Sequence, residues 1–127
     1  MPRLLFIDDD PEIRSLYHDR LQTLGSVTTC ENGSLAMALL QKDHNFDVII
    51  CDYCMPIKNG GDVWGFIQHL GLKIPFVLFT SRSLKELPEF DESFHSAGNI
   101  WLQKPISPEK LLKTIRAVSG CHQPVFN

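Results

Sequence analysis

Leu4-Leu5-Phe6-Ile7-Asp8-Asp9-Asp10-Pro11-Glu12 decides how this chain is read. Four apolar residues in unbroken succession mark a strand buried on both faces, since a strand with one wet face would alternate. Three aspartates follow directly. Like charges a few ångström apart disfavour each other's ionised form, and desolvation adds to the penalty. Such a cluster persists when a cation offsets it, and hard carboxylate oxygens suit magnesium or calcium. No His-rich or Cys-rich spacing favours zinc. Asp10-Pro11-Glu12 also fits a helix start, with an N-cap, a proline at N1 and an acidic first turn. A cap uses one carboxylate. Asp10 is therefore assigned to the cap, and Asp8 and Asp9 to metal or catalytic chemistry.

The 127 residues, 43% of them hydrophobic, suffice for one domain with a two-sided core. Net charge is −3 and no basic run exists, which argues against nucleic acid or an anionic membrane as the primary ligand. No apolar stretch approaches a bilayer span, and the N-terminus lacks a signal-peptide core. Of Cys30, Cys51, Cys54 and Cys121, only Cys51 and Cys54 are close in sequence. A reduced, cytoplasmic chain is the expectation.

Outward from the first strand, the chain alternates strands and helices. Ile13, Leu16, Tyr17, Leu21 and Leu24 have helical spacing, with Gly25 as the expected stop. Val27 to Cys30 reads as a more polar edge strand. Asn32-Gly33 reads as a turn, with Ser34 able to cap a helix that carries Leu35, Ala36, Leu39 and Leu40. Val48-Ile49-Ile50-Cys51 is a second buried strand ending in Asp52. Val63, Trp64, Phe66, Ile67 and Leu70 form the face of a further helix, and Phe76 to Phe79 is a third buried strand, ending at Thr80-Ser81. Ser83 to Ala97 contains Pro88 and several acids, which predicts a short or broken helix with Phe90 and Phe94 inward. Ile100-Trp101-Leu102 ends at Lys104-Pro105. Ser107-Pro108 then starts a helix with Leu111, Leu112, Ile115 and Val118 on its buried face, ending near Gly120. Five strands alternating with five helices imply a doubly wound parallel α/β sheet.

Asp8, Asp9, Asp52, Thr80 and Lys104 each stand just past the carboxyl end of a strand. In open α/β sheets those ends converge on one crevice. The acids would hold a divalent cation, while lysine and threonine would hold an anion beside it. Phosphoryl transfer requires that pairing, because charge on the transferred oxygens must be neutralised.

Leu4-Leu5-Phe6-Ile7-Asp8-Asp9-Asp10-Pro11, Asp47 to Asp52, Met55-Pro56, Gly60, Ile74 to Ser81 and Lys104-Pro105 form one set. In it the chain resembles the receiver domain of two-component response regulators, the CheY-like family, over about residues 3 to 119. The resemblance implies a flavodoxin-like (βα)5 fold with strand order 2-1-3-4-5. It implies that Asp52 accepts a phosphoryl group. Mg2+ would be held by Asp8 (through water), Asp9, Asp52 and the backbone carbonyl of Cys54. Lys104 would pair with the phosphoryl group or with Asp52. Thr80 and the Ser81 backbone would donate to the phosphoryl group, and Lys104-Pro105 would be cis. The implied partners are a sensor histidine kinase or histidine phosphotransfer protein, and a downstream output protein or domain. The output face would comprise the fourth helix, fifth strand and fifth helix, which is also the face for an optional homodimer. The receiver would span residues 1–120, with 121–127 as a tail, in a stand-alone messenger or a piece excised from a longer protein. It would be no enzyme, although it would assist its own phosphorylation and dephosphorylation.

Two positions depart from the family pattern. Trp101 stands where a tyrosine or phenylalanine commonly swings inward with Thr80. A bulkier indole is either a switch or a fixed edge residue. Cys54 replaces a commonly polar side chain and orients an attacking water poorly, so a long-lived phosphoryl group is expected. Arg82, beside the site, would steer phosphodonors or pair with a nearby acid, or else be a plain solvated arginine. A redox reading of Cys51 and Cys54 is weak, because Cys51 lies within a buried strand. A flavodoxin-like cofactor binder is disfavoured by three aspartates where a phosphate cradle would be. A haloacid-dehalogenase-type phosphatase needs Thr or Val where Glu12 stands. The serious rival is a phosphorylation-independent docking or dimerisation module.

Overall fold

The computed structural model describes residues 2–118; the expected helix stop at Gly120 and the tail from Cys121 lie outside them. Elements follow in the order β1 (Arg3–Ile7), α1 (Pro11–Leu21), β2 (Ser26–Cys30), α2 (Gly33–Lys42), β3 (Val48–Cys51) and α3 (Gly60–His69). Then come β4 (Phe76–Thr80), a 3-10 turn (Leu84–Glu86), α4 (Glu92–Ser96), β5 (Ile100–Gln103) and α5 (Pro108–Val118). All pairings are parallel and the strand order is 2-1-3-4-5, with the more polar β2 at an edge as its composition foretold.

Strand parity divides the core. Leu5, Ile7, Ile49, Cys51, Phe76 and Leu78 face α2, α3 and the segment holding Leu87, Phe90 and Phe94. Leu4, Phe6, Val48, Ile50, Val77 and Phe79 face α1 and α5 through Tyr17, Leu21, Leu111 and Ile115. The two-sided burial explains why β1, β3 and β4 read as continuous apolar runs. α4 is only five residues long and depends on tertiary packing. Phe94 anchors it, edge-on to Trp64 and Phe90 at centroid distances of 5.1 Å and 4.9 Å. Truncating Phe94 to alanine would cost about 3–5 kcal/mol.

Three local expectations are corrected. Gly25 does not stop α1, which ends at Leu21 with Gln22 as C-cap. Gly25 instead leaves room for the carbonyl of Pro2, which a Cβ would strike. Ser34 does not cap α2. Asn32 does so, accepting the amide of Leu35 at 2.8 Å. Leu16 and Leu35, placed on buried faces by their spacing, are exposed at 43% and 48%. The remaining caps stand as read: Asp10 accepts the amide of Glu12 at 2.9 Å, and Ser107 accepts that of Lys110 at 3.1 Å.

Candidate functional site

Parallel register builds the site. Ile7 on β1 is aligned with Cys51 on β3, so the next residues, Asp8 and Asp52, emerge side by side. Their parity is that of Phe6 and Ile50, toward α1 and α5. Asp8 is 1% exposed and Asp52 7% exposed, whereas Asp9 points to solvent. Ligand oxygens of Asp8, Asp9 and Asp52 all lie within 4.8 Å of one another.

Each carboxylate has partners that fix its direction. Asp8 Oδ1 accepts the amide of Asp10 at 3.0 Å, and Asp8 Oδ2 accepts the Lys104 ammonium at 3.0 Å. Arg14, one turn into α1, donates to the Asp8 backbone carbonyl at 2.7 Å. Asp52 Oδ1 accepts the amide of Tyr53 at 2.8 Å and lies 3.7 Å from Lys104 Nζ. Lys104 reaches both acids from the end of β5, with its ammonium 4.8 Å from the centre of the Phe79 ring. Its backbone amide donates to the Thr80 carbonyl at 2.8 Å, and its bond to Pro105 is cis, as expected.

Burial raises the Asp52 carboxyl to about 6; Lys104 and the Tyr53 amide pull it down, while Asp8 and Asp9 push it further up. Near neutral pH Asp52 is ionised and, with Asp8 and Asp9 beside it, faces one ammonium. That excess of negative charge on hard oxygen donors fits a small divalent cation. A bound divalent cation would neutralise charge on the oxygens of a transferred group.

Of the other expected residues, Thr80 and Ser81 stand at the end of β4, Trp101 on β5 and Cys54 on the loop after β3. Thr80 is fully buried at the end of β4, and its hydroxyl oxygen accepts the amide of Arg82 at 3.2 Å. Ser81 is exposed, and its carbonyl accepts from Gln103 at 3.2 Å. Trp101 is half-buried, its indole N–H donating to the Arg82 carbonyl at 3.3 Å. Arg82 lies 3.8 Å from Glu86 with both side chains half exposed, which fits the nearby-acid and the solvated readings alike. Cys54 is exposed on the loop after β3. Cys51 is fully buried, with burial pushing its thiol well up, so it serves as a small core hydrophobe.

Sequence reasoning missed Arg14, Tyr53 and Glu89. Tyr53 Oη donates to Glu89 Oε2 at 2.8 Å across 36 residues. A polar aromatic immediately after Asp52 was a usable signal for Tyr53, but nothing in the sequence marked Glu89.

Comparisons with known proteins identify the family and the fold. The family model described as "Response regulator receiver domain" matches residues 4–116. The response regulator SaeR of Staphylococcus aureus is 29% identical over 131 residues, covering 98% of this chain and 56% of the relative. This chain thus spans little more than half of that relative's length. Among solved structures, the chemotaxis protein CheY4 of Vibrio cholerae superposes with a TM-score of 0.78 at 33% identity, covering 93% of this chain and 98% of that one. The BeF3-activated DrrB receiver domain gives 0.76 at 25% identity, covering 93% and 97%. The chain belongs to the receiver domain family of two-component response regulators.

Proposed function

We propose that Asp52 accepts a phosphoryl group from a phosphohistidine on a partner protein. The observation that carries this reading is the buried Asp52 carboxylate between two acids and one ammonium, at the carboxyl edge of a parallel sheet. An Asp52 oxygen forms the P–O bond as the P–N bond to the donor imidazole breaks. The released electron pair stays on that nitrogen, which takes up a proton. Lys104 turns from Asp8 and Asp52 toward the phosphoryl oxygens. The Thr80 hydroxyl and the Ser81 amide supply further donors. The residues that would hold Mg2+ are Asp8, Asp9, Asp52 and the Cys54 carbonyl. The chain supplies electrostatics and the partner supplies an oriented donor.

Added charge at Asp52 draws Thr80 inward. Arg82 links Thr80 to Trp101 through its amide and carbonyl, so the movement reaches the α4–β5–α5 face, where an output protein, output domain or second copy would read it. The receiver is taken as residues 1–120 with 121–127 as a tail, assisting its own phosphorylation and dephosphorylation. A cytoplasmic setting is supported by the kinase-dependent chemistry; among the described residues no helix is long and apolar enough to cross a membrane. The docking-only alternative is not favoured. Transfer from a radiolabelled histidine phosphotransfer protein tests the proposal: label reaches the wild type and not Asp52→Asn. Equal labelling of both would refute it.

A further inference from the structure

The segment between β4 and α4 is fastened to the acceptor loop by a contact that the phosphoryl chemistry does not use. Tyr53 holds Asp52 Oδ1 through its amide and Glu89 Oε2 through its hydroxyl, each at 2.8 Å. Asn59 Nδ2 donates to the same hydroxyl at 3.4 Å. The ring packs edge-on against Phe90, with centroids 6.1 Å apart at 74°. The Tyr53 carbonyl accepts the amide of Gly60 at 2.9 Å. Tyr53 thus has one end on the acceptor carboxylate and the other on the segment that follows Thr80. Glu89 reaches it over the first turn of α3, where Gly61 leaves room: a Cβ there would fall on the Glu89 carboxylate.

We propose that the Tyr53–Glu89 hydrogen bond is a latch that holds the β4–α4 segment in its resting position. Tyr53 and Glu89 are then positioning residues that set how readily Asp52 takes up a phosphoryl group. The proposal rests on the reading of Asp52 as acceptor. Uptake draws in Thr80, whose hydroxyl is tied to Arg82, and the segment after Arg82 moves with it. A bond made in one of two states biases the equilibrium toward that state. Cutting it therefore favours the phosphoryl-bound state, by about 3- to 10-fold for a partly solvated hydrogen bond.

Calorimetric titration with beryllofluoride, a phosphoryl mimic, in the presence of magnesium tests the latch. Tyr53→Phe and Glu89→Ala are each expected to bind about 3- to 10-fold tighter than wild type. The double variant should gain no more than either single one, because both remove the same bond. Glu89→Gln, which keeps an acceptor oxygen, should stay near wild type. Gly61→Ala should also tighten binding by displacing Glu89, although alanine is the better helix former, so destabilisation does not account for the gain. Unchanged or weaker binding in the single variants, additive gains in the double variant, or Gln behaving as Ala would overturn the latch. A wild type that binds no beryllofluoride would overturn the acceptor reading first, and the latch with it.

Discussion

Lys104 lies nearer to Asp8 than to Asp52: its ammonium is 3.0 Å from Asp8 Oδ2 and 3.7 Å from Asp52 Oδ1. It is thus shared between the proposed acceptor and a candidate metal ligand. An incoming cation would compete for Asp8 and free the ammonium for an incoming phosphoryl group. The resting ion pair and the binding-competent site are two uses of the same three side chains.

Replacing Lys104 with methionine leaves two buried carboxylates without their cation. Removing one partner of a fully buried pair costs about 3–5 kcal/mol, and the partial exposure of Lys104 lowers this to about 2 kcal/mol. Urea denaturation at neutral pH without metal checks that loss. The apparent pKa of Asp52 should also climb above its value of about 6, since a lowering influence is gone. An unchanged stability would show that the pair is inert.

Asp52 sets a pH dependence of the opposite kind from an ordinary surface acid. Its folded value of about 6 exceeds the usual 3.8. Protonation therefore favours folding, so the contribution is fully present below about pH 4 and is lost as pH rises through about 6. Asp52→Asn removes that loss. In chelator-containing buffer the variant should be more stable than wild type by about 2 kcal/mol near pH 8, a two-unit shift discounted for residual solvent. The difference should vanish near pH 4. A gain that is equal at both pH values would contradict the assignment.

The Trp101 indole N–H donates to the Arg82 carbonyl, so a movement of Arg82 is expected to reach the indole. Trp64 is enclosed by Phe76 and Phe94 and is 7% exposed. Beryllofluoride with magnesium should alter tryptophan emission in the wild type and leave Trp101→Phe unchanged. A response that survives in Trp101→Phe would make Trp101 a fixed edge residue.

Cys54 offers no strong acceptor to orient a hydrolytic water. The aspartyl phosphate is therefore expected to persist well beyond seconds, and Cys54→Asn should shorten its life several-fold. Decay of the labelled protein measures both. A wild-type half-life of seconds would refute the expectation.

The legible parts of the fold were those fixed by local chemistry. β1, β3 and β4 were visible because burial on both faces demands unbroken apolar runs, and each run carried its site residue at its end. Asp10 and Ser107 were visible because cap and proline stand together. Other features depended on distant neighbours. Asn32 prevailed over Ser34 as cap because α2 begins at Gly33, which is packed so closely on Lys58 that a Cβ would strike its carbonyl. Leu35, on the outward side of the helix set by that start, faces water. The preference of Lys104 for Asp8 turns on less than an ångström. Tyr53–Glu89 joins two loops whose approach no periodicity encodes.

The most direct test of the central claim is the intact mass after incubation with acetyl phosphate and magnesium. The account predicts the gain of one phosphoryl group, mapped to Asp52, absent in Asp52→Asn and absent when a chelator is present. No gain in the wild type, or a gain that persists in Asp52→Asn, would contradict it.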